Sequence, residues 1–119
     1  MLATSETLDF IRRERARPFF LYLAFTVPHA NNELGRATGN GVEVPTDAPY
    51  ANERWRQQEK NYAAMVTRMD TDLGKIMALV KELGLDGDTV VFFNSDNGPQ
   101  GPDGRAQAQQ GGKKWAGFI

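Results

Sequence analysis

The amino-acid sequence predicts an α/β layered fold with mostly parallel strands. Two apolar runs, at 19–26 and 89–94, show no alternation with polar residues, and a long amphipathic helical pattern lies between them. Unbroken apolar runs are typical of strands that are buried on both faces, as in the middle of a parallel sheet. The chain has 119 residues, which allows one small domain or a piece of a larger one. Two strands and two helices do not complete such a sheet, so we expect a fragment.

The first segment predicts a helix that ends before Pro18. Thr4 or Ser5 can serve as its N-cap, and Glu6 would lie in the first turn, where the helix dipole favours a carboxylate. Four arginines lie at 12–17, near the expected end of the helix. We interpret this cluster as a solvated helix end rather than a phosphate site.

The apolar run 19–26 predicts the first buried strand, and the residues that follow, 27–52, predict a loop. The loop is rich in glycine, proline and asparagine, so we expect no stable helix in it. A loop of about 25 residues is long for a compact domain and indicates a functional lip or a surface that faces a partner.

The clearest element is a second helix that begins between Asn52 and Lys60 and ends at Gly84. Its apolar residues recur at spacings of three and four: Tyr62, Met65, Val66, Met69, Leu73, Ile76, Met77, Val80 and Leu83. Gly74 inside it suggests close packing on a sheet.

Two aspartates of this helix, Asp70 and Asp72, flank core positions. We expect both on a solvated flank, where they can pair with Arg68 or Lys75.

The second strand, 89–94, follows a turn at 86–88. After Gly98 the composition changes to glycine, glutamine and alanine without periodicity. We therefore divide the chain into a structured part, 1–99, and an irregular tail, 100–119.

Composition and motifs exclude several classes. The formal charge of −1 argues against nucleic acid or an anionic membrane as the main partner. The chain has no cysteine, which excludes a disulfide framework, a zinc–thiolate site and a cysteine nucleophile within it. It shows no phosphate loop, no dinucleotide fingerprint, no signal peptide and no apolar run long enough to span a bilayer. We expect any export signal to lie outside this chain, and the compartment stays open.

Candidate chemistry lies where the two strands end, because ligands of open α/β sheets gather at the carboxyl ends of strands. His29, the only histidine, follows the first strand, while Asp96 and Asn97 follow the second. Carboxylate and amide oxygens suit a hard cation such as Ca²⁺ or Mg²⁺. The alternative readings are a loop histidine bonded to backbone and ordinary turn chemistry in Ser-Asp-Asn-Gly. Trp55 and Trp115 are expected to cover apolar surface, and stacking against a sugar stays open.

Three stretches in order resemble the sulfatase family, in its arylsulfatase and N-acetylgalactosamine-6-sulfatase-like branch. They are the strand and histidine loop at 18–30, the long helix at 62–74, and the strand and polar turn at 83–99, which ends in Ser-Asp-Asn-Gly-Pro. The resemblance implies a three-layer, alkaline-phosphatase-like sandwich with a mostly parallel central sheet.

The resemblance also implies a chemistry. The family hydrolyses sulfate esters at a site with one divalent cation, usually calcium, and a formylglycine nucleophile. By resemblance, Asp96 and Asn97 are metal ligands, and His29 contacts the sulfate or assists the departing oxygen. Lys113 is a weak match to the family's sulfate-binding lysine. The substrates implied are sulfated small molecules or glycans, and family members are usually exported, periplasmic or lysosomal.

Two parts of the family pattern are missing from this chain. It has neither the Cys/Ser-x-Pro-x-Arg motif that yields formylglycine nor an Asp-Asp pair. Without a nucleophile, no covalent intermediate can form. We therefore expect part of a sulfatase catalytic domain that is inactive alone. The alternatives are a phosphatase or phosphodiesterase of the same superfamily, or a non-enzymatic truncated remnant or small binding domain.

Overall fold

The structure, a computed structural model, describes residues 2–95 and 116–118 of the chain. Its elements are α1 (Leu2–Glu14), α2 (Asn32–Thr38), α3 (Gln57–Glu82), β1 (Phe92–Asn94) and β2 (Ala116–Phe118). The chain divides into two units, Met1–Leu85 and Asp86–Ile119. Within the described residues, no helix combines the length and the apolar character that crossing a membrane requires.

Helix α1 begins earlier than the sequence predicts. It starts at Leu2, so neither Thr4 nor Ser5 serves as its N-cap. Thr4 has another function: its side chain is buried and its hydroxyl donates a hydrogen bond to Asp72 of α3. The helix ends at Glu14, before the proline that was expected to stop it.

The core of the first unit forms where α1 packs against α3. Its buried residues are Ile11, Ile76, Leu79 and Val80. Full burial of one such side chain contributes about 1.5–3 kcal/mol. Every apolar position that the helical spacing predicts in α3 is buried or half-buried, so the predicted core face is confirmed. Among the described residues, a Cβ added at Gly74 would meet no atom within 4 Å, so the packing on a sheet that was predicted there is not seen in this part of the chain.

In the apolar run 19–26, burial alternates from one residue to the next, as in an extended chain, but the run has no strand partner among the described residues. Alternate side chains pack against the core: Phe19, Leu21, Leu23 and Phe25. Phe20 and Tyr22 on the other face are 88% and 82% exposed. The prediction of a strand buried on both faces is therefore wrong for the described chain, since only one face has anything to pack against.

The second unit contains a short two-stranded sheet. β1 pairs with β2 in antiparallel register, with Phe92 opposite Phe118 and Asn94 opposite Ala116. The predicted strand 89–94 thus shortens to three residues, and the mostly parallel central sheet is not formed in the described residues. β2 also lies within the segment predicted as an irregular tail, while the predicted domain boundary near residue 99 stays a prediction.

Candidate functional site

His29 lies in a turn just beyond the extended segment. Its backbone N–H donates a hydrogen bond to the carbonyl oxygen of Thr26 at 3.2 Å, and its residue surface is exposed. The backbone is thus fixed at the turn, while the imidazole is accessible to a ligand. Its catalytic function stays a prediction.

Two residues further on, Asn31 organises the histidine loop, which we define as residues 27–43. The Asn31 side-chain oxygen accepts hydrogen bonds from the backbone N–H groups of Glu33 and Leu34, both at 3.1 Å. Its side-chain nitrogen donates to Glu43 at 2.9 Å. Asn31 is therefore the N-cap of α2, and Gly39 ends that helix with a φ of 79°. The expectation that this loop holds no helix is wrong, because these two caps satisfy the ends of a seven-residue helix.

Gly41 closes the histidine loop by a close backbone approach. The Asn31 N–H donates to the Gly41 carbonyl oxygen at 2.7 Å. A Cβ at position 41 would lie 2.2 Å from the Asn31 carbonyl oxygen, closer than any real Cβ contact. Only glycine fits here without a backbone shift. Sequence reasoning missed this pair, because one glycine among several in a loop carries no distinguishing pattern.

The histidine loop is also tied to α3. Val42 is buried, and its carbonyl oxygen accepts a hydrogen bond from the Asn61 side-chain nitrogen at 2.8 Å. The Val42 N–H donates to the Asn40 side-chain oxygen at 3.0 Å. The hydrogen bonds of two adjacent residues, Gly41 to Asn31 and Val42 to Asn61, thus connect the segment next to His29 to the first half of the long helix.

A second anchored segment, 47–55, presents an aromatic pair. The rings of Tyr50 and Trp55 stack with centroids 5.4 Å apart and planes 26° from parallel. The Tyr50 hydroxyl shares a hydrogen bond of 2.9 Å with Thr67, and Lys60 donates to the Ala51 carbonyl oxygen at 2.8 Å. Trp55 was expected to cover apolar surface; it covers one face of Tyr50 and is still 45% exposed.

Asp72 is not on a solvated flank, as the sequence suggests, but only 4% exposed. Its carboxylate accepts hydrogen bonds from Lys75 at 2.7 Å and from the Thr4 hydroxyl at 2.9 Å. The Lys75 hydrogen bond, followed by that of Thr4, lowers the pKa of Asp72 below its ordinary value. The predicted pairing with Lys75 is confirmed, and Asp70 is exposed as expected. Asp72 therefore joins α3 to α1.

The arginines at 12–17 lie at the exposed end of α1, in agreement with a structural function. Arg13 and Arg17 both donate hydrogen bonds to the carboxylate of Glu14. The hydrogen bond from Arg17, then that from Arg13, lowers the pKa of Glu14. The charges of this cluster are thus partly engaged within the helix end.

Four residues singled out by sequence lie outside the described residues: Asp96, Asn97, Lys113 and Trp115. Their assignments stay predictions. In the part of the chain that the structure describes, no group of three His, Cys, Asp or Glu side chains is arranged to hold a metal ion.

Comparison with known proteins identifies the family. The sulfatase family model matches residues 2–118. The N-acetylgalactosamine-6-sulfatase of dog is 37% identical over 95 residues, covering 78% of this chain and 15% of the relative. The steryl-sulfatase of mouse is 34% identical over 93 residues, covering 78% of this chain and 12% of the relative. The chain thus spans only about one seventh of the length of these relatives, and no solved structure matches it significantly. Because the family model covers nearly the whole chain, the chain belongs to the sulfatase family.

Proposed function

We propose that this chain is a segment of the catalytic domain of an enzyme that hydrolyses sulfate esters. The observation that carries the proposal is the family match over 2–118, together with relatives that are named sulfatases. The small share of each relative that is covered supports a larger enzyme to which this chain contributes one part. Sulfated small molecules or glycans are the proposed substrates.

In this proposal His29 is the catalytic residue of the chain. An imidazole can donate a hydrogen bond to a sulfate oxygen and can pass a proton to the ester oxygen as the S–O bond breaks. The exposure of His29 and the fixed backbone of its turn support this function. The hydrogen bonds of Asn31 to Gly41 and Glu43 would limit the movement of the turn and so keep the imidazole at one place.

The proposed cation ligands are Asp96 and Asn97. Their carboxylate and amide oxygens are the ligand types that Ca²⁺ prefers, although two residues cannot fill its coordination sphere. The remaining ligands would come from the rest of the enzyme. A bound divalent cation supplies positive charge that polarises the sulfate group. Lys113 is a weaker candidate for sulfate binding.

The proposed fold of the whole enzyme is a three-layer sandwich with a mostly parallel central sheet. The segment 19–26 supports this fold, because one of its faces packs against the helices, while Phe20 and Tyr22 on the other face are exposed to solvent. Such a segment gains most from burial of its second face in a sheet.

The direct test is hydrolysis of 4-nitrophenyl sulfate and 4-nitrophenyl phosphate by the enzyme whose reading frame includes this chain. We expect sulfate hydrolysis, and His29→Ala or Asp96→Ala should lower it by about tenfold or more. Asp70→Ala, which removes an exposed carboxylate from α3, is the matched control and should leave turnover unchanged. Full turnover in both site variants would contradict the site, and a preference for the phosphate ester would favour the phosphatase alternative.

The reading frame itself is a second test. Sequencing of the DNA on both sides should reveal a Cys/Ser-x-Pro-x-Arg motif and an Asp-Asp pair in the same frame. The 119-residue chain alone should not hydrolyse either ester, because it encodes no such nucleophile motif. Flanks without these motifs would favour the non-enzymatic remnant.

A further inference from the structure

We propose that the Tyr50–Trp55 pair is a platform that binds the sugar ring of a sulfated saccharide, with Arg54 as the residue that recognises its sulfate. This inference rests on the proposed function and deepens it, since it assigns substrate binding to residues that no motif marks. The family comparison gives this pair no function.

The first argument is the geometry of the rings. Trp55 stacks on Tyr50, and it keeps 45% of its surface exposed. An exposed aromatic face offers an apolar surface to the C–H groups of a pyranose, while the indole N–H offers a hydrogen bond to its hydroxyl groups.

The second argument is that this pair is held in place before any ligand binds. The Tyr50 hydroxyl is bound to Thr67 of α3, and Lys60 holds the Ala51 carbonyl oxygen. The Gln57 side chain donates to Asp47 at 3.0 Å, and the Tyr50 N–H donates to the Asp47 carbonyl oxygen at 2.8 Å. A preformed platform loses little conformational entropy on binding, which favours a binding function over a mobile surface loop.

The third argument is the positive charge next to Trp55 in the sequence. Arg54 directly precedes Trp55, is exposed, and makes no ion pair within the described part of the chain. Its neighbour Arg56, by contrast, is engaged with Glu59. A guanidinium group that is not committed to a carboxylate can donate two parallel hydrogen bonds to a sulfate.

The platform and the histidine loop are anchored to the same part of α3. Asn61 holds the Val42 carbonyl oxygen, and its side chain also accepts a hydrogen bond from Gln57 at 2.8 Å. Gln57 in turn holds Asp47 of the platform segment. Both surfaces therefore belong to one hydrogen-bonded framework.

The test is a titration of the 119-residue chain with N-acetylgalactosamine 6-sulfate, followed by NMR of the indole N–H groups. The chain has two tryptophans, so Trp55→Phe identifies the Trp55 signal by its loss. We expect that signal to shift saturably with the sulfated sugar, and unsulfated N-acetylgalactosamine to bind about tenfold more weakly. Arg54→Gln should remove this preference, whereas Arg36→Gln, at another exposed arginine, should leave it intact.

An indole signal of Trp55 that does not respond would overturn the platform, and equal binding of the sulfated and unsulfated sugars would overturn the assignment of sulfate recognition to Arg54. Tyr50→Phe keeps the ring but loses its bond to Thr67, so it should weaken binding without abolishing it, and circular dichroism checks that the helices persist. The NMR readout needs no turnover, so its result does not depend on whether the enzyme is an active sulfatase. If the enzyme cleaves sulfate esters but the Trp55 indole signal does not shift, the platform is refuted and the proposed function is not.

Discussion

The α1–α3 pair and the histidine loop are held by different forces. The helix pair depends on apolar burial around Ile11, which is 1% exposed, and on the buried carboxylate of Asp72. The histidine loop has one buried apolar side chain, Val42, and is held by hydrogen bonds and the close approach at Gly41. Burial tolerates many apolar side chains of similar size, whereas the loop requires particular atoms at particular places. Substitutions in the helix pair and in the histidine loop should therefore have different effects on the protein.

The largest effect is expected in the helix pair. Ile11→Ala removes a fully buried side chain at the contact between α1 and α3, and should lower the free energy of unfolding by about 2–5 kcal/mol. Urea denaturation measures it. Leu2→Ala, in the same helix but exposed, should change stability by less than about 0.5 kcal/mol. Equal effects of both variants would mean that α1 does not pack as described.

The next largest effect is expected in the histidine loop. Gly41→Ala places a Cβ against the Asn31 carbonyl oxygen and should cost up to about 3 kcal/mol, because both groups belong to the backbone. Unlike Ile11→Ala, it should act locally. Hydrogen exchange should show faster exchange of the Asn31 N–H, which bonds to the Gly41 carbonyl oxygen, than of amides in the middle of α3. Uniformly faster exchange would show that loop and helices unfold as one.

A smaller loss of stability is expected at the buried carboxylate of Asp72, and, unlike the loss in the apolar core, it depends on pH. Asp72→Asn should lower stability at pH 7 by about 1–2 kcal/mol, because it weakens the hydrogen bonds to Lys75 and Thr4. The folded pKa of Asp72 is lowered, so its contribution is present above the ordinary value of about 3.9 and is lost as the pH falls through the folded pKa. The difference between parent and variant should therefore shrink in acid. A difference that is constant from pH 7 to about pH 2 would contradict this linkage.

The smallest effect has the opposite sign. Gly74→Ala adds a methyl group where no described atom lies within 4 Å, in the middle of α3. It should raise the free energy of unfolding by up to about 1 kcal/mol through helix propensity. It is also the matched control for Gly41→Ala, as the same change at another glycine. A loss of stability would indicate that residue 74 meets a surface in solution.

The helical part of the fold could be predicted from sequence because burial follows a period. Helix α3 begins at Gln57, within the predicted interval, and Gly84 ends it with a φ of 68°. The start of α1 could not be predicted, because Thr4 serves a distant aspartate instead of its own helix end. Strands are harder still, because a strand needs a partner. The apolar pattern at 19–26 predicted a strand buried on both faces, but only one face packs and no strand partner lies among the described residues.

The candidate site was predictable only in part for the same reason. His29 was found as a polar residue just after an apolar run, a rule that needs no tertiary information. The Asn31–Gly41 contact joins residues ten positions apart through backbone atoms, which hydropathy and spacing do not describe. The burial of Asp72 could not be predicted, because a carboxylate beside core positions can point to solvent or to the core, and its partners Thr4 and Lys75 decide which.

The approach of Gly41 to Asn31 also constrains how this segment can diverge in evolution. A position where a Cβ would lie 2.2 Å from a carbonyl oxygen admits one amino acid for as long as the loop keeps its path. Position 74 carries no such restriction. Among natural variants of this gene, residue 41 should therefore remain glycine even where its neighbours drift, and a lineage that loses this glycine should also have remodelled the path that leads to the histidine.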